Sequence, residues 1–193
     1  MLSAASFAHA TTLTSKTSTD NGYEIFISTN DSLAGTSFGS GENWPTTFTD
    51  VSANLTAGVT NYLHVRAYDV GGIAMFIGEF FLSDAGFAFG NGTQSMLTGD
   101  AGLQVSLTGF GSGYSATSDL GPDGTGPWGN RPNINDTARF VWSSDAYNHN
   151  EVFFSAAINP TDVPENDVPE PGTLAIFGMG LAGLGFMRRR RAA

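Results

Sequence analysis

Hydrophobic and polar positions alternate along much of the chain with the two-residue period of a half-buried β-strand, and turn-forming residues break the pattern every 10–15 residues. The clearest stretch is Asn61–Tyr68. Tyr62, His64, Arg66 and Tyr68 fall on one face, and Leu63, Val65 and Ala67 on the other. Strands are also predicted over Tyr23–Ser28, Leu103–Thr108, Ala138–Trp142 and Glu151–Ile158, with a weaker one over Thr46–Val51. Ile73–Leu82 is a ten-residue apolar run that length alone leaves open between helix and strand. Its β-branched and aromatic content and its glycine-bounded ends favour a buried strand. Asn30-Asp31, Asn54–Gly58, Asp69–Gly72, Phe87–Gly92 and Ser143–Asn150 supply turns. With no amphipathic helix and no repeat of solenoid length, the expected body is an all-β, antiparallel two-sheet sandwich over 20–158.

Four internal stretches lack the pattern. Residues 11–19 read as a polar lead-in, and Ser37–Pro45 as a Gly-rich loop carrying Glu42, Asn43 and Trp44. Gly109–Pro132 is 24 residues without periodicity, a length at which a loop is usually functional or mobile. Asn159–Asp167, with acids and prolines, reads as a linker.

At the C-terminal end the pattern changes kind. Val168-Pro169-Glu170-Pro171-Gly172 precedes Thr173–Met187, which has no charge, and Arg188–Arg191 follow. A 15-residue helix reaches only about 23 Å, short of the ~30 Å hydrocarbon core, so length alone also allows a buried core helix. Terminal position, four glycines and the flanking arginines favour a single short transmembrane helix, since arginines snorkel and bilayers thin. Four cations on one side place the C-terminus in the cytoplasm and everything before Val168 outside. Ala175, Gly178, Ala182 and Gly185 form a small-residue stripe that would admit a second helix, or reflect mere Gly/Ala richness. At the other end, residues 1–10 look like the remnant of a secretory signal peptide, with Ala8-His9-Ala10 a small-x-small cleavage site. The missing positive region suggests a true start upstream of Met1.

The tail resembles the PEP-CTERM sorting signal of Gram-negative bacteria, on Pro169, Glu170 and Pro171, the Gly-rich span and Arg188, Arg189, Arg190 and Arg191. The resemblance implies recognition by an exosortase, removal of the tail, and delivery to the cell surface or an exopolysaccharide matrix. A second resemblance covers the body. Asp20-Asn21-Gly22-Tyr23, Trp44, Leu55–Gly58, Leu63–Ala67 and Gly71–Ala74, with Arg139–Trp142 and Val152–Phe154 as closing strands, are similar to a galactose-binding-like jelly roll. That likeness implies a jelly-roll sandwich, sugar binding, and a Ca²⁺ position at Asp20.

Charge narrows the partners. The chain before Val168 holds four cations, Lys16, Arg66, Arg131 and Arg139, against 17 acids. So acidic a body disfavours nucleic acid and anionic polymers, whose recognition needs clustered Lys and Arg. It suits a secreted module facing neutral sugar or divalent cations. The absence of cysteine excludes disulfides, thiol chemistry and Cys-type zinc sites.

Trp44 with Glu42 and Asn43, and Trp128 with Arg131, stand in Gly/Pro-rich loops beside polar groups. An indole face with adjacent donors and acceptors is what pyranose recognition needs. The same tryptophans could equally plug the ends of a sandwich, and Trp142, inside a strand, reads as core. Asx pairs such as Asp20-Asn21 offer hard oxygens for Ca²⁺, yet none shows the spaced EF-hand pattern, and turn formation explains most of them. Catalysis has little support: no Gly-x-Ser-x-Gly elbow, no His-Glu-x-x-His, and only a Glu24–Glu79 pairing to consider as glycosidase carboxylates. The expectation is therefore a non-catalytic, exosortase-processed surface or matrix protein, without a required cofactor, that contacts glycan. A structural or adhesive protein that self-associates through its sandwich is the alternative, and a small glycan hydrolase a third.

Overall fold

The computed structural model describes residues 10–161. These hold thirteen strands and no helix: β1 (Leu13–Asp20), β2 (Gly22–Ser28), β3 (Thr36–Gly41), β4 (Phe48–Val51), β5 (Asn61–Tyr68), β6 (Met75–Leu82), β7 (Phe87–Phe89), β8 (Ser95–Leu97), β9 (Gln104–Ser106), β10 (Ser115–Ala116), β11 (Ser118–Pro122), β12 (Arg139–Trp142) and β13 (Glu151–Pro160). They build two antiparallel sheets. The first runs β11-β12-β6-β1-β4, with β8 also on β6; the second runs β10-β9-β13-β5-β2-β3, with β7 also on β13.

Alternation decides what lies between the sheets. Tyr23, Ile25, Leu63, Val65 and Ala67 of the second sheet join Leu13, Phe76 and Phe80 of the first in one buried cluster. Phe76 stacks on Phe154 with centroids 4.9 Å apart, and Trp142 meets Phe154 edge-on at 5.9 Å. Tyr23 bridges to β4, where its hydroxyl donates to Asp50 at 2.6 Å and its ring meets Phe48 edge-on. Burial, and then the Asp50 carboxylate, push the phenol above its ordinary range, so it remains a donor.

Residues 11–19 are not a lead-in. From Leu13 onward they form β1, paired with β6 from Leu13↔Leu82 to Asp20↔Met75 and with β4 on its other side. The first strand therefore begins seven residues before the expected Asp20 boundary. The hydrophobic pattern misses this strand because its inward positions after Leu13 are Ser15, Thr17 and Thr19, all buried. Threonine's branched Cβ suits a strand, but it carries no apolar signature. Likewise the front of the Gly-rich loop is the edge strand β3, and Phe87–Phe89 is β7, joined to the end of β13. The body also runs two residues past Ile158, because β13 continues to Pro160.

The long unpatterned segment covers both outer faces of the sandwich. Phe110 lies flat on His64 of β5, with centroids 4.2 Å apart. The chain then crosses sheets, β10 pairing with β9 and β11 with β12. Beyond β11 the chain lays Trp128, Ile134 and Ala138 on Met75, Ile77 and Phe140, a second buried cluster on the far side of the first sheet.

Both ends of the body meet at the turn Ser83–Gly86. The Thr11 hydroxyl donates to Asp84 at 2.6 Å, and the Thr12 amide to the Ser83 hydroxyl. From the other end, the Thr161 amide donates to the Gly86 carbonyl and its hydroxyl to that of Ala85.

One glycine tests the β2–β3 connection. Gly35 has φ +90°, and a Cβ there would lie 2.2 Å from the Ile27 carbonyl oxygen. Gly71 has φ +132° with open space around it. Gly35→Ala should cost more than about 2 kcal/mol in urea unfolding, against about 1 for Gly71→Ala, where only the backbone is strained. Equal costs would show that the carbonyl contact is not limiting.

Candidate functional site

The outward side of β1 builds the first cluster. Ser18 and Asp20 point away from the core, towards the segment that covers the first sheet. The Ser18 hydroxyl donates to the Trp44 carbonyl at 2.7 Å, and Asp20 accepts the Trp128 indole N–H at 2.9 Å. Arg131 ties the covers together: its guanidinium donates to the carbonyls of Trp44 and Trp128 and lies 5.1 Å from the Trp44 ring centre. Burial lowers the Arg131 pKa; nearby Asp123 and then Asp20 oppose the shift.

Of the proposed glycan-contacting residues, Trp128 and Arg131 are therefore buried in the fold, 3% and 7% exposed. The Trp128 ring packs on Phe140. Trp44 is partly exposed with a guanidinium over its ring, while Glu42 and Asn43 are exposed. Glu42 accepts the Tyr68 hydroxyl, and Asn43 donates to Thr46. Asp20, the expected Ca²⁺ ligand, has one oxygen committed to Trp128. Among the described residues no three His, Cys, Asp or Glu side chains group as metal ligands.

Burial raises the Asp20 pKa, the Trp128 donor opposes this, and the Asp69 carboxylate reinforces it. A carboxyl raised by folding ionises at a cost to the folded state. The cost is present at neutral pH and is relieved as pH falls through the folded value towards 3.8. Asp20→Asn keeps an acceptor for Trp128 without the charge. Its melting midpoint should exceed wild type at pH 7, with the difference shrinking as pH approaches 4. A lower midpoint at pH 7 would mean that the ionised carboxylate is needed.

The second cluster lies on the outer face of the second sheet. Asp31, just past β2, accepts three bonds at one oxygen: Tyr114 and Ser155 hydroxyls at 2.9 Å each, and His64 Nε2 at 3.2 Å. Ser155 sits opposite His64 across β13 and β5. His64 is fully buried, flanked by Phe110 and Tyr62, with Nδ1 3.3 Å from the Ala34 carbonyl. Ser, His and Asp thus stand together, but the Ser155 proton points to the carboxylate instead of the imidazole, under a covered ring. Sequence reasoning put His64 on a polar face without finding its partner Asp31, 33 positions earlier, or Ser155, which reaches the same carboxylate from 124 positions away. Glu24 and Glu79, weighed as a carboxylate pair, stand on different sheets, and Glu79 pairs with Lys16 at 3.5 Å.

A shallow polar pocket of about 270 Å³ opens where β2 leads to β3, bordered by Ser28, Thr36, Asn54 and Thr56. The Asn61 amide at its base is spent on the Thr56 and Val59 backbone.

The sorting residues Pro169, Glu170, Pro171 and Arg188–Arg191, the apolar span 173–187 and all but the last residue of the stretch 1–10 expected to be a signal remnant lie outside the described residues. Within 10–161 no helix is long and apolar enough to cross a membrane. Comparison with curated proteins and with solved structures finds no match. Comparison with protein families finds one, at the chain's end. Residues 167–191 match the PEP-CTERM protein-sorting motif, which supports an exported, exosortase-targeted surface protein.

Proposed function

We propose that this is an exosortase-processed component of the cell surface or exopolysaccharide matrix, whose body is a non-catalytic, jelly-roll-type β-sandwich. The tail carries the reading: a Pro-Glu-Pro element, an uncharged span and four arginines, in order, within one sorting motif. In this reading the general secretory route exports the chain, and Thr173–Met187 holds it in the inner membrane with Arg188–Arg191 on the cytoplasmic side. The exosortase then removes the tail near Pro169-Glu170-Pro171. No cofactor takes part.

Replacing Pro169, Glu170 and Pro171 together by Ala should leave the full-length chain in the membrane fraction and abolish the shorter, released form. Replacing Arg188–Arg191 by Ser should scramble orientation, read by protease accessibility of the C-terminus in spheroplasts. Normal processing of both variants would end this reading.

Glycan contact is a finer proposal on the same body. Glu42, Asn43 and the exposed part of Trp44 support it, since they stay at the surface beside one another. A saturable fluorescence change with neutral sugar or exopolysaccharide, lost in Trp44→Ala, is the expected result. No change, together with concentration-dependent oligomers, would favour the self-associating structural protein instead.

A further inference from the structure

The pocket between the β2–β3 turn and the loop 53–60 has walls that the fold already holds in place. On one side, the Ser28 hydroxyl and the Leu33 amide both donate to the Asn30 carbonyl. On the other, the Ser52 and Leu55 amides donate to the carbonyls of Leu13 and Thr11. The Asn61 carboxamide then clamps the loop, donating to the Thr56 and Val59 carbonyls and accepting from the Thr56 amide. Ile27 and Ala53 give the pocket its apolar part. Around them stand the side chains of Thr29, Thr36, Asn54 and Thr56, all at exposed positions, and none is used in a hydrogen bond among the described residues. No lining residue is charged. Of the acids close by in sequence, Asp31 holds Tyr114, Ser155 and His64 on the outer face of the second sheet, and Asp50 accepts the Tyr23 hydroxyl.

We infer that this pocket holds one neutral sugar unit of a surface glycan, at a site separate from the Trp44 surface. The inference extends the glycan-contact reading above and rests on it for the presence of glycan around the body. At about 270 Å³ the pocket lies at the small end of ligand sites, so it takes a single ring and leaves the rest of a polymer outside. A threonine hydroxyl both donates and accepts, and an asparagine carboxamide offers both functions, so the free groups match sugar hydroxyls, which also do both. Ile27 and Ala53 meet the C–H face of the ring. A carboxylate or ammonium would give up water for a lining with no counter-charge. An acidic sugar would also approach a body with 17 acids against four cations. Because both walls are pinned, little order is lost on binding. The two sites are distinct. Ser18, bonded to the Trp44 carbonyl, and Leu13, bonded to Ser52 beside the pocket, stand five residues apart on β1, about 17 Å.

The test uses the full chain in detergent micelles. The chain has no native cysteine, so Ala57→Cys, at an exposed position on the pocket's loop wall, carries a single trifluoromethyl label. Its fluorine resonance reports the pocket, and tryptophan fluorescence reports the Trp44 surface. The probes are cellotriose, maltotriose and triacetylchitotriose, with trigalacturonate as the anionic control. At least one neutral trisaccharide should shift the fluorine resonance saturably, and trigalacturonate should need about tenfold more. Thr36→Val with Thr56→Val, which removes two free hydroxyls at exposed positions, should raise the midpoint about tenfold and leave the urea unfolding midpoint unchanged. The shift should persist in Trp44→Ala. A resonance that no neutral probe moves, or a shift indifferent to the double substitution, would overturn the pocket. So would a shift lost in Trp44→Ala, since it would report one site on the Trp44 surface. Equal binding of trigalacturonate would overturn the neutral assignment. A tryptophan signal without a fluorine shift leaves the Trp44 reading standing alone, and the converse leaves the pocket alone.

Discussion

Trp142→Ala should cost about 3–5 kcal/mol, the largest single loss expected from the body. The indole is fully buried, sits edge-on to Phe154, and donates from Nε1 to the His149 carbonyl at 2.8 Å. Truncation opens a cavity at the meeting of both sheets and strips that carbonyl of its donor, an added cost of about 1–3 kcal/mol if water does not enter. A domain of this size has roughly 5–15 kcal/mol in total, so the variant should be partly unfolded at 37 °C. Trp142→Phe keeps most of the ring and loses the N–H, and should cost about 1–2 kcal/mol. Urea unfolding followed by circular dichroism separates the two. A loss under about 1 kcal/mol for the alanine variant would mean that the site collapses around the gap.

Asp31→Ala should cost about 3 kcal/mol and, more tellingly, should loosen one region first. Its Oδ1 holds Tyr114, Ser155 and His64, so one carboxylate fastens the segment around Phe110 to two strands. Without it, three partly or fully buried donors lose their acceptor. The stacked Phe110–His64 contact then has only apolar packing to keep it in place. Limited proteolysis should cut within 107–117 well below the global unfolding midpoint, and Asp31→Asn, which retains an acceptor, should be cut more slowly. Unchanged protection in Asp31→Ala would show that aromatic packing alone holds the segment.

Strand prediction succeeded where inward positions are apolar. Asn61–Tyr68 and Glu151–Ile158 alternate in sequence as they do in space, because one face of each meets the inter-sheet core. It failed at β1, whose inward face is Ser and Thr, and at β3, an edge strand interrupted by glycines. Trp128 shows a different limit. Its setting among Gly, Pro and Asp suits a surface loop, and nothing local tells that β1 and β6 leave Asp20, Met75 and Ile77 outward for it to cover. Arg131 follows the same rule: one of only four cations before the tail, it is buried because two carbonyls and an indole face await it.

The sequence alone determined the all-β character, most of the strands and the sorting tail, since each is written in contiguous residues: a period of two, or a tripartite order of Pro-Glu-Pro, apolar span and arginines. Tertiary structure decided the rest. It alone brought Asp31, His64, Tyr114 and Ser155 together and closed both ends of the described body on Ser83–Gly86. It also turned a segment without periodicity into the cover of two sheets. Those contacts join residues tens to more than a hundred positions apart, and their energy comes from the pairing of partners that no local pattern encodes.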